Sequence, residues 1–214
     1  IMGVSGCGKT TLLNALAGFI QPTNGKILLK GNKIEGPGPD RAVVFQDDAV
    51  FPWLSVEDNI AYSHKIKSSY GDKEKELVKN YINLVGLEDF KKAWPRQLSG
   101  GMRKRVDLAR AFAAEPELLL MDEPFGALDI MTKEKLQEEL RKFWVERPRT
   151  IVFITHDVEE AVFLGDKVIV MTPRPGRIDL IIEPNLSKNR DMSIKSDSVF
   201  FDNVKKIRQR IKDH

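Results

Sequence analysis

The sequence is poor in cysteine and has no long apolar run, and each absence excludes a class of protein. Its single cysteine, Cys7, excludes an internal disulfide and indicates a reducing compartment. No run of about 18 apolar residues occurs, so no segment is expected to span a membrane as a helix. Internal repeats and low-complexity tracts are lacking too. The composition, 42% hydrophobic and 30% charged, is typical of a soluble globular domain.

A strong charge of one sign is also lacking. The formal net charge is +3 and the pI is near 8.9. A nucleic-acid-binding domain usually shows a stronger and more clustered basic signal, so we expect no nucleic-acid partner. The tail at 188–214 is rich in Lys and Arg, but aspartates are interspersed with them, which favours a solvated helical face.

The most informative segment is GVSGCGKTT at 3–11, which fits the pattern GxxxxGK[ST]. Its glycines let the backbone bend so that successive N–H groups point inward. The apolar spacing after it predicts a helix whose positive dipole end faces the phosphates of a nucleoside triphosphate. Lys9 would reach the β- and γ-phosphates, and the Thr10 hydroxyl would ligate Mg²⁺. A flexible Gly/Ser loop without a ligand is the disfavoured alternative.

Such a loop follows a buried β-strand in the middle of the sheet. Only Ile1 and Met2 precede the loop here, whereas a strand has about five or six residues. We therefore expect the sequence to lack its natural beginning and the N-terminal strands, so targeting segments cannot be judged. Cys7 is interpreted as a small side chain tolerated inside the loop rather than as a redox sensor.

The rest of the chain alternates short apolar runs with helical periodicity. Strands are predicted at 26–30, 42–45, 118–121, 150–154 and 167–171, and helices at 72–85, from 102 onward, at 132–144 and at 157–164. This alternation predicts an α/β fold with a parallel sheet covered on both faces. The expected organisation is a single domain over 1–214, with a core at about 1–61 and 103–214 and a helical subdomain at about 62–102.

Two acids, Asp122 and Glu123, follow the most apolar strand. Asp122 stands where a phosphate-loop ATPase places its second Mg²⁺-organising acid, and Glu123 could polarise the water that attacks the γ-phosphate. Neighbouring strand residues point to opposite faces, so the two acids can share a site only where the strand ends. Pro124 supplies that break. Two acids in a surface turn are the alternative.

A second glycine-rich segment, LSGGM at 98–102, precedes a predicted helix. Alone, Ser99 would be an ordinary helix cap, although a helix N-terminus also suits an anion. The order of the motifs along the chain favours the anion-binding role. That order is the phosphate loop, Gln46, LSGGM, LLLMDEP, ALD and THD. In that order the sequence resembles the ATP-binding subunits of ABC transporters over essentially its whole length.

Each motif of that family has a match. Residues 3–11 match Walker A, 98–102 the ABC signature, and 118–122 Walker B, with Glu123 next. Gln46 matches the Q-loop, Asp129 the D-loop and His156 the switch histidine. The resemblance implies a P-loop NTPase (RecA-like) fold, in which an α-helical subdomain is inserted into a parallel-sheet core, and it implies ATP hydrolysis.

The resemblance also implies roles. Glu123 would be the general base, His156 would hold the γ-phosphate and orient that base, and Gln46 would sense Mg²⁺ and the attacking water. Thr10, Gln46 and Asp122 would serve the metal. Two copies would form a head-to-tail dimer, with ATP between the phosphate loop of one copy and the signature and D-loop of the other. The implied nucleotide-binding residues are Gly3, Val4, Ser5, Gly6, Cys7, Gly8, Lys9, Thr10, Thr11, Ser99, Gly100, Gly101 and Asp129.

Finer matches resemble the nitrate, sulfonate and taurine importer group: GPGPDR at 36–41, VFQD at 44–47, FPWL at 51–54 and TPRPGR at 172–177. They imply a separate ATPase chain at the cytoplasmic face of the inner membrane, docked beneath a transmembrane permease. A substrate-binding protein would be an indirect partner. The aromatic segment at 51–53 fits a docking groove for the permease, and the alternative is that Trp53 belongs to the core.

Two residues depart from that group. Lys104 stands where glutamine is common, and Asp107 where a small apolar residue is common. Neither departure alters a catalytic assignment, but both weaken a claim of close kinship with that group. A charge at 107 could be exposed or paired. The family's adenine-stacking aromatic lies upstream of Ile1, so no residue of this chain is assigned that role.

Two other functions stay open. One is a soluble ABC ATPase acting on ribosomes or DNA, which the single domain and the short interval between motifs disfavour. The other is an inactive fragment. The residues that argue against inactivity are Lys9, Asp122, Glu123 and His156.

Overall fold

The computed structural model describes residues 1–146 and 148–212. Its strands are β1 (Met2–Gly3), β2 (Leu28–Leu29), β3 (Asn32–Lys33), β4 (Arg41–Val44), β5 (Leu118–Asp122), β6 (Thr150–Ile154), β7 (Val168–Met171) and β8 (Ile178–Ile182). Its helices are α1 (Lys9–Ala17), α2 (Val56–Ile60), α3 (Tyr62–Ile66), α4 (Asp72–Leu84), α5 (Gly100–Ala113), α6 (Ile130–Glu146), α7 (Val158–Leu164) and α8 (Ser198–Lys212). Short 3₁₀-helices cover Glu88–Phe90, Pro95–Gln97 and Met192–Ser196.

The main sheet has the phosphate-loop strand in its middle. Strands β4, β5 and β6 pair in parallel in that order, while β1 pairs in parallel with β7, which pairs antiparallel with β8. Ile1 joins the two groups: its N donates to the Phe153 carbonyl at 2.6 Å, and its carbonyl accepts from the Thr155 N–H at 3.2 Å. Strand β1 therefore lies between β6 and β7, and its position in the middle of the sheet agrees with the prediction.

Strand β5 shows why these residues form a central strand. All five of its side chains are buried. Leu119 and Met121 pack in the same core as helices α2, α4 and α5, whereas Leu118 and Leu120 face the opposite side and pack with Leu13 of α1. Because successive side chains point to opposite faces and both faces are covered, every position must be apolar.

Between β4 and β5, the described elements are all helical. Helix α4 buries Val78 and Ile82, four residues apart on one face, and they join the core formed with α2 and α5. This agrees with the low strand signal of that stretch. The division into a core and a helical subdomain stays a prediction.

The basic tail forms α8, which is amphipathic. It buries Phe200, Val204 and Ile207 at helical spacing, and these pack in one core with α7 and β7. The predicted helix is thus present, but one of its faces is apolar and packed rather than solvated.

The parallel strands place their carboxyl ends at one edge of the sheet. Ligands of open α/β sheets bind beyond these ends. The segments that leave this edge are the phosphate loop after β1, Gln46 after β4, Glu123 after β5, His156 after β6 and the turn at 172–177 after β7.

Candidate functional site

The phosphate loop links β1 to α1 through three glycines in unusual backbone conformations. Gly3, Gly6 and Gly8 have φ of 154°, 75° and 103°, a region that glycine alone enters at no steric cost. Gly8 is also the N-cap of α1. The free N–H groups of the first turn of this nine-residue helix therefore border the loop.

Lys9 is folded back over this loop. Its Nζ donates to the carbonyls of Gly3 and Val4 at 2.9 and 3.0 Å, and it lies 3.8 Å from Cys7 Sγ. Lys9 and Cys7 are both buried. The ammonium group is thus held within the loop, with the Cys7 sulfur beside it.

A cavity of about 930 Å³ opens beside the loop. Its walls include the start of α1, the segment at 20–23 and the ends of several strands. The residues that the sequence predicts as a site and that line this cavity are Gly3, Ser5, Gly6, Cys7, Gly8, Lys9, Thr10, Thr11, Gln46, Asp122, Glu123 and His156. The fold therefore brings residues that are more than a hundred positions apart in the chain together around one cavity.

Thr10 and Asp122 are in direct contact at this cavity. The Thr10 Oγ1 donates to Asp122 Oδ2 at 2.7 Å, and Asp122 is the buried last residue of β5. Hydroxyl and carboxylate oxygens are the hard ligands that Mg²⁺ takes, usually only one or two from the protein. Among the described residues no group of three or more His, Cys, Asp or Glu could hold a metal. The oxygen donors thus fit a Mg²⁺ that is held chiefly by phosphates and water.

Glu123 reaches the same cavity because its backbone leaves the strand abruptly. Its φ is 45°, and its N–H donates to the Ile154 carbonyl at 2.9 Å. The break that lets both acids share a site therefore occurs at Glu123 itself, one residue before Pro124. A left-handed non-glycine residue costs about 1–3 kcal/mol, and such strain clusters at functional sites.

The Glu123 carboxylate is paired with the predicted switch histidine. Glu123 Oε2 lies 3.1 Å from His156 Nδ1, and the His156 side chain is 70% exposed. His156 is followed by Asp157, the N-cap of α7, whose carboxylate accepts from the N–H groups of Glu159 and Glu160. Helix α7 is therefore capped directly after His156.

The signature and D-loop residues lie elsewhere. Ser99 caps α5, with its Oγ accepting from the Met102 N–H at 3.2 Å, and Asp129 accepts from the Thr132 N–H at 3.0 Å. Both residues are exposed. Ser99, Gly100, Gly101 and Asp129 are absent from the described residues that line the cavity around Lys9.

Sequence reasoning missed one neighbour of the site, the turn at 172–177. Thr172 Oγ1 closes the turn by accepting from the Arg177 N–H at 3.0 Å. Arg174 Nε donates to the Gly6 carbonyl at 3.0 Å. Gly176 approaches the loop so closely that a Cβ there would lie 2.0 Å from the Cys7 carbonyl oxygen. The turn thus packs against the outer side of the phosphate loop and contacts its backbone.

The two departures, Lys104 and Asp107, are both buried. The Lys104 ammonium donates to the carbonyl of Phe45 and, at 3.0 Å, to that of Gln46. Lys104 therefore contacts the backbone of Gln46, a residue of the predicted catalytic set. Asp107 is paired with Arg110 at 2.6 Å.

Comparison with known proteins agrees with this geometry. The ABC transporter family model matches residues 1–126. An uncharacterized ABC transporter ATP-binding protein of Methanocaldococcus jannaschii is 47% identical over 213 residues, which cover 100% of this chain and 79% of that protein. The taurine import ATP-binding protein TauB of Pelagibacter ubique is 51% identical over 178 residues, which cover 83% of this chain and 67% of that protein.

A solved structure shows the same fold. It is a dimeric ATP-binding cassette in a post-hydrolysis state bound to ADP and Pi, with a TM-score of 0.72 and 30% sequence identity. The match covers 85% of this chain and 83% of that one.

The chain therefore belongs to the ABC transporter family. It is an ATP-binding subunit with the P-loop NTPase fold of ATP-binding cassettes, and it hydrolyses ATP. The resemblance of its motifs to this family, drawn from the sequence, is confirmed.

Replacing Gly176 with alanine is expected to weaken ATP binding about 5- to 150-fold. The new methyl group would meet the Cys7 carbonyl, and displacing the loop costs about 1–3 kcal/mol. Calorimetric titration with a non-hydrolysable ATP analogue measures the change. Gly36→Ala is the control, since nothing lies within 4 Å of its Cβ position. Equal affinity in Gly176→Ala and the parent chain would show that the turn does not constrain the loop.

Proposed function

We propose that this chain is the ATP-hydrolysing subunit of an importer that takes up a small sulfonate-type or inorganic anion, with taurine, alkanesulfonates and nitrate as the candidates. The observation that carries the ATP-hydrolysing role is the convergence of the phosphate loop, Gln46, Asp122, Glu123 and His156 on one cavity. The relative named for taurine import supports the transported class, since it is 51% identical over most of this chain.

In this proposal the phosphate loop binds the triphosphate. The backbone N–H groups at 3–11 and the α1 dipole face the phosphates, and Lys9 exchanges its bonds to the Gly3 and Val4 carbonyls for the β- and γ-phosphate oxygens. Thr10, Asp122 and Gln46 supply oxygen ligands for Mg²⁺, directly or through water. The metal, when bound, neutralises charge on the phosphates during transfer.

Glu123 and His156 carry out the hydrolytic step. Glu123 accepts a proton from the water that attacks the γ-phosphate, while the bond between the γ-phosphorus and the bridging oxygen breaks and ADP leaves. General-base catalysis contributes about 10²- to 10⁴-fold. His156, at 3.1 Å from the Glu123 carboxylate, orients that base and contacts the γ-phosphate. The exposure of the imidazole leaves it accessible to a ligand in the cavity.

A second copy of the chain completes the site. Ser99, Gly100 and Asp129 are exposed, and α5 has 14 residues whose N-terminus faces outward. Beside Asp129, Ile130 and Met131 are about three-quarters exposed (75% and 76%), an apolar surface that a facing copy would cover. A head-to-tail dimer lets the Ser99 end of α5 contact the γ-phosphate held by the partner.

The aromatic segment after Gln46 forms the docking surface for the permease. Phe51 stacks against Trp53 at 5.5 Å and contacts Tyr62 at 4.4 Å between ring centroids. Trp53 is 66% exposed, which excludes the reading of Trp53 as a core residue. The buried Asn59 amide holds the segment by hydrogen bonds to Phe51, Leu54 and Ser55. A rigid, exposed aromatic cluster is typical of a binding hot spot.

Docking on a permease would place the chain at the cytoplasmic face of the inner membrane as a peripheral subunit. Across residues 1–146 and 148–212, no helix is both long and apolar enough to cross a bilayer. Attachment in this proposal therefore depends on the permease rather than on a helix of the described part of the chain.

Glu123→Gln is expected to lower ATP turnover at least about 100-fold while ATP binding persists, because the amide keeps the shape of the side chain but cannot accept the proton. Steady-state phosphate release and analogue titration measure the two properties separately. Glu146→Gln, an exposed carboxylate on α6, is the control. Unchanged turnover in Glu123→Gln would remove Glu123 as the base.

Trp53→Ser is expected to weaken coupling to the permease strongly and to leave ATP turnover of the isolated subunit unchanged. In vesicles that contain the cognate permease and binding protein, solute-stimulated ATPase should fall about tenfold or more, as for loss of an interface tryptophan. Phe201→Ser is the matched control, since Phe201 on α8 is also 66% exposed. Equal losses in both variants would refute docking at Trp53.

The same vesicles test the solute. Taurine, an alkanesulfonate or nitrate should stimulate ATP turnover of the parent chain. If none of the three does so while another solute class does, the proposed solute class is wrong.

A further inference from the structure

The segment at 45–51, which begins beside the nucleotide cavity and ends in the aromatic docking surface, lies along one face of the signature helix α5. Four side chains of that face lie against it. They stand at helix positions 103, 104, 107 and 110, which a helical repeat brings to the same side.

Their contacts follow the segment in order. Lys104 Nζ donates to the carbonyls of Phe45 and Gln46, and Arg103 Nε donates to Asp48 at 3.0 Å. Next along the segment, Asp107 lies near the Ala49 backbone: burial raises the pKa of the Asp107 carboxyl, and Arg110, Lys104 and the Ala49 backbone act against that shift. The fourth contact is aromatic, with the Arg110 guanidinium 4.5 Å from the Phe51 ring centroid.

Lys104, which contacts the end of the segment nearest the nucleotide cavity, is almost fully buried. It is 2% exposed, and Asp107 is 1% exposed one helical turn away. Burial lowers the pKa of the Lys104 ammonium, while the Asp107, Asp48 and Asp47 carboxylates act against that shift. A lysine is expensive to bury unless it makes hydrogen bonds, and the carbonyls of Phe45 and Gln46 supply them.

We propose that Lys104 is a positioning residue for Gln46: its buried ammonium fixes the Phe45 and Gln46 carbonyls against the signature helix and so holds the Gln46 side chain at the nucleotide cavity. Gln46 is exposed and lines that cavity. The segment leaves β4 at Val44. Near the cavity, Phe45 stacks on Phe19 at 6.1 Å between ring centroids, and the Phe45 and Gln46 carbonyls accept from Lys104 of α5. The far end is held at Phe51 by Asn59. Lys104 is itself absent from the described residues that line the cavity, whereas Gln46, to whose carbonyl it donates, is one of them. Lys104 therefore acts through Gln46.

This inference rests on the proposed catalytic role of Gln46, so the experiment tests the two residues together. The variants are Lys104→Met, Gln46→Ala and the double variant, with Lys142→Met on the surface of α6 as the control. Lys104→Met keeps the aliphatic chain but removes every donor. Loss of hydrogen bonds from a charged donor should lower kcat about ten- to hundredfold, and the ATP analogue Kd should change less than about twofold.

The double variant separates positioning from any independent role. If Lys104 acts through Gln46, adding Lys104→Met to Gln46→Ala should lower kcat by less than about twofold further. Losses that multiply would overturn the inference and leave the role of Gln46 intact. Full turnover in Gln46→Ala alone would instead overturn the catalytic role of Gln46, and the inference with it.

Hydrogen exchange gives a readout that needs no turnover. In the nucleotide-free protein, the amides at 45–49 should exchange at least about tenfold faster in Lys104→Met than in the parent chain or in Lys142→Met. Lys104→Gln, whose shorter side chain keeps an N–H donor, should show a smaller effect on both kcat and exchange. If Lys104→Met does not fold, Lys104→Gln is compared with the parent chain and with Lys142→Met instead. Unchanged exchange at 45–49 in both variants would contradict the proposal.

Discussion

The negative charge of a triphosphate is the constraint on which this structure depends. Several charges close together need many donors at short range, and a loop of backbone N–H groups at a helix N-terminus supplies them without long side chains. The loop must be fixed to be effective. Here it is held between the central strand β1 and helix α1, with Lys9 bonded to the Gly3 and Val4 carbonyls and the turn at 172–177 packed on its outer side.

The parallel sheet brings the remaining chemistry to that loop. Each parallel strand delivers its next residue to the same edge, so Gln46, Glu123 and His156 meet around one cavity although they are far apart in the chain. The backbone geometry directs the side chains of the two neighbouring acids to different partners. Asp122 ends β5 against Thr10, and the left-handed φ of Glu123 turns its carboxylate towards His156. The segment at 45–51 then connects this edge to the exposed aromatic surface along α5.

Much of the fold could be predicted because its signals are local. The fully apolar run at 118–121 predicted a strand buried on both faces, and the motif order predicted the shared cavity. Non-local contacts could not be predicted in the same way. No periodicity in the sequence shows that Gly176 packs on Cys7, 169 positions away. In the sequence alone, Lys104 cannot be told from an ordinary charged residue on an amphipathic helix. The left-handed φ of Glu123 could not be predicted either, because Pro124 indicated that the strand ends nearby but not at which residue. Strand β8, although apolar in part, was not predicted.

The most direct test of this account is a crystal structure of the Glu123→Gln variant with ATP and Mg²⁺. The account predicts a dimer in which Lys9 of one copy contacts the γ-phosphate and Ser99 Oγ of the facing copy lies about 3 Å from an oxygen of that same phosphate. A bound ATP whose γ-phosphate contacts Lys9 but has no second copy near it, or whose phosphates lie away from the loop at 3–11, would contradict the account.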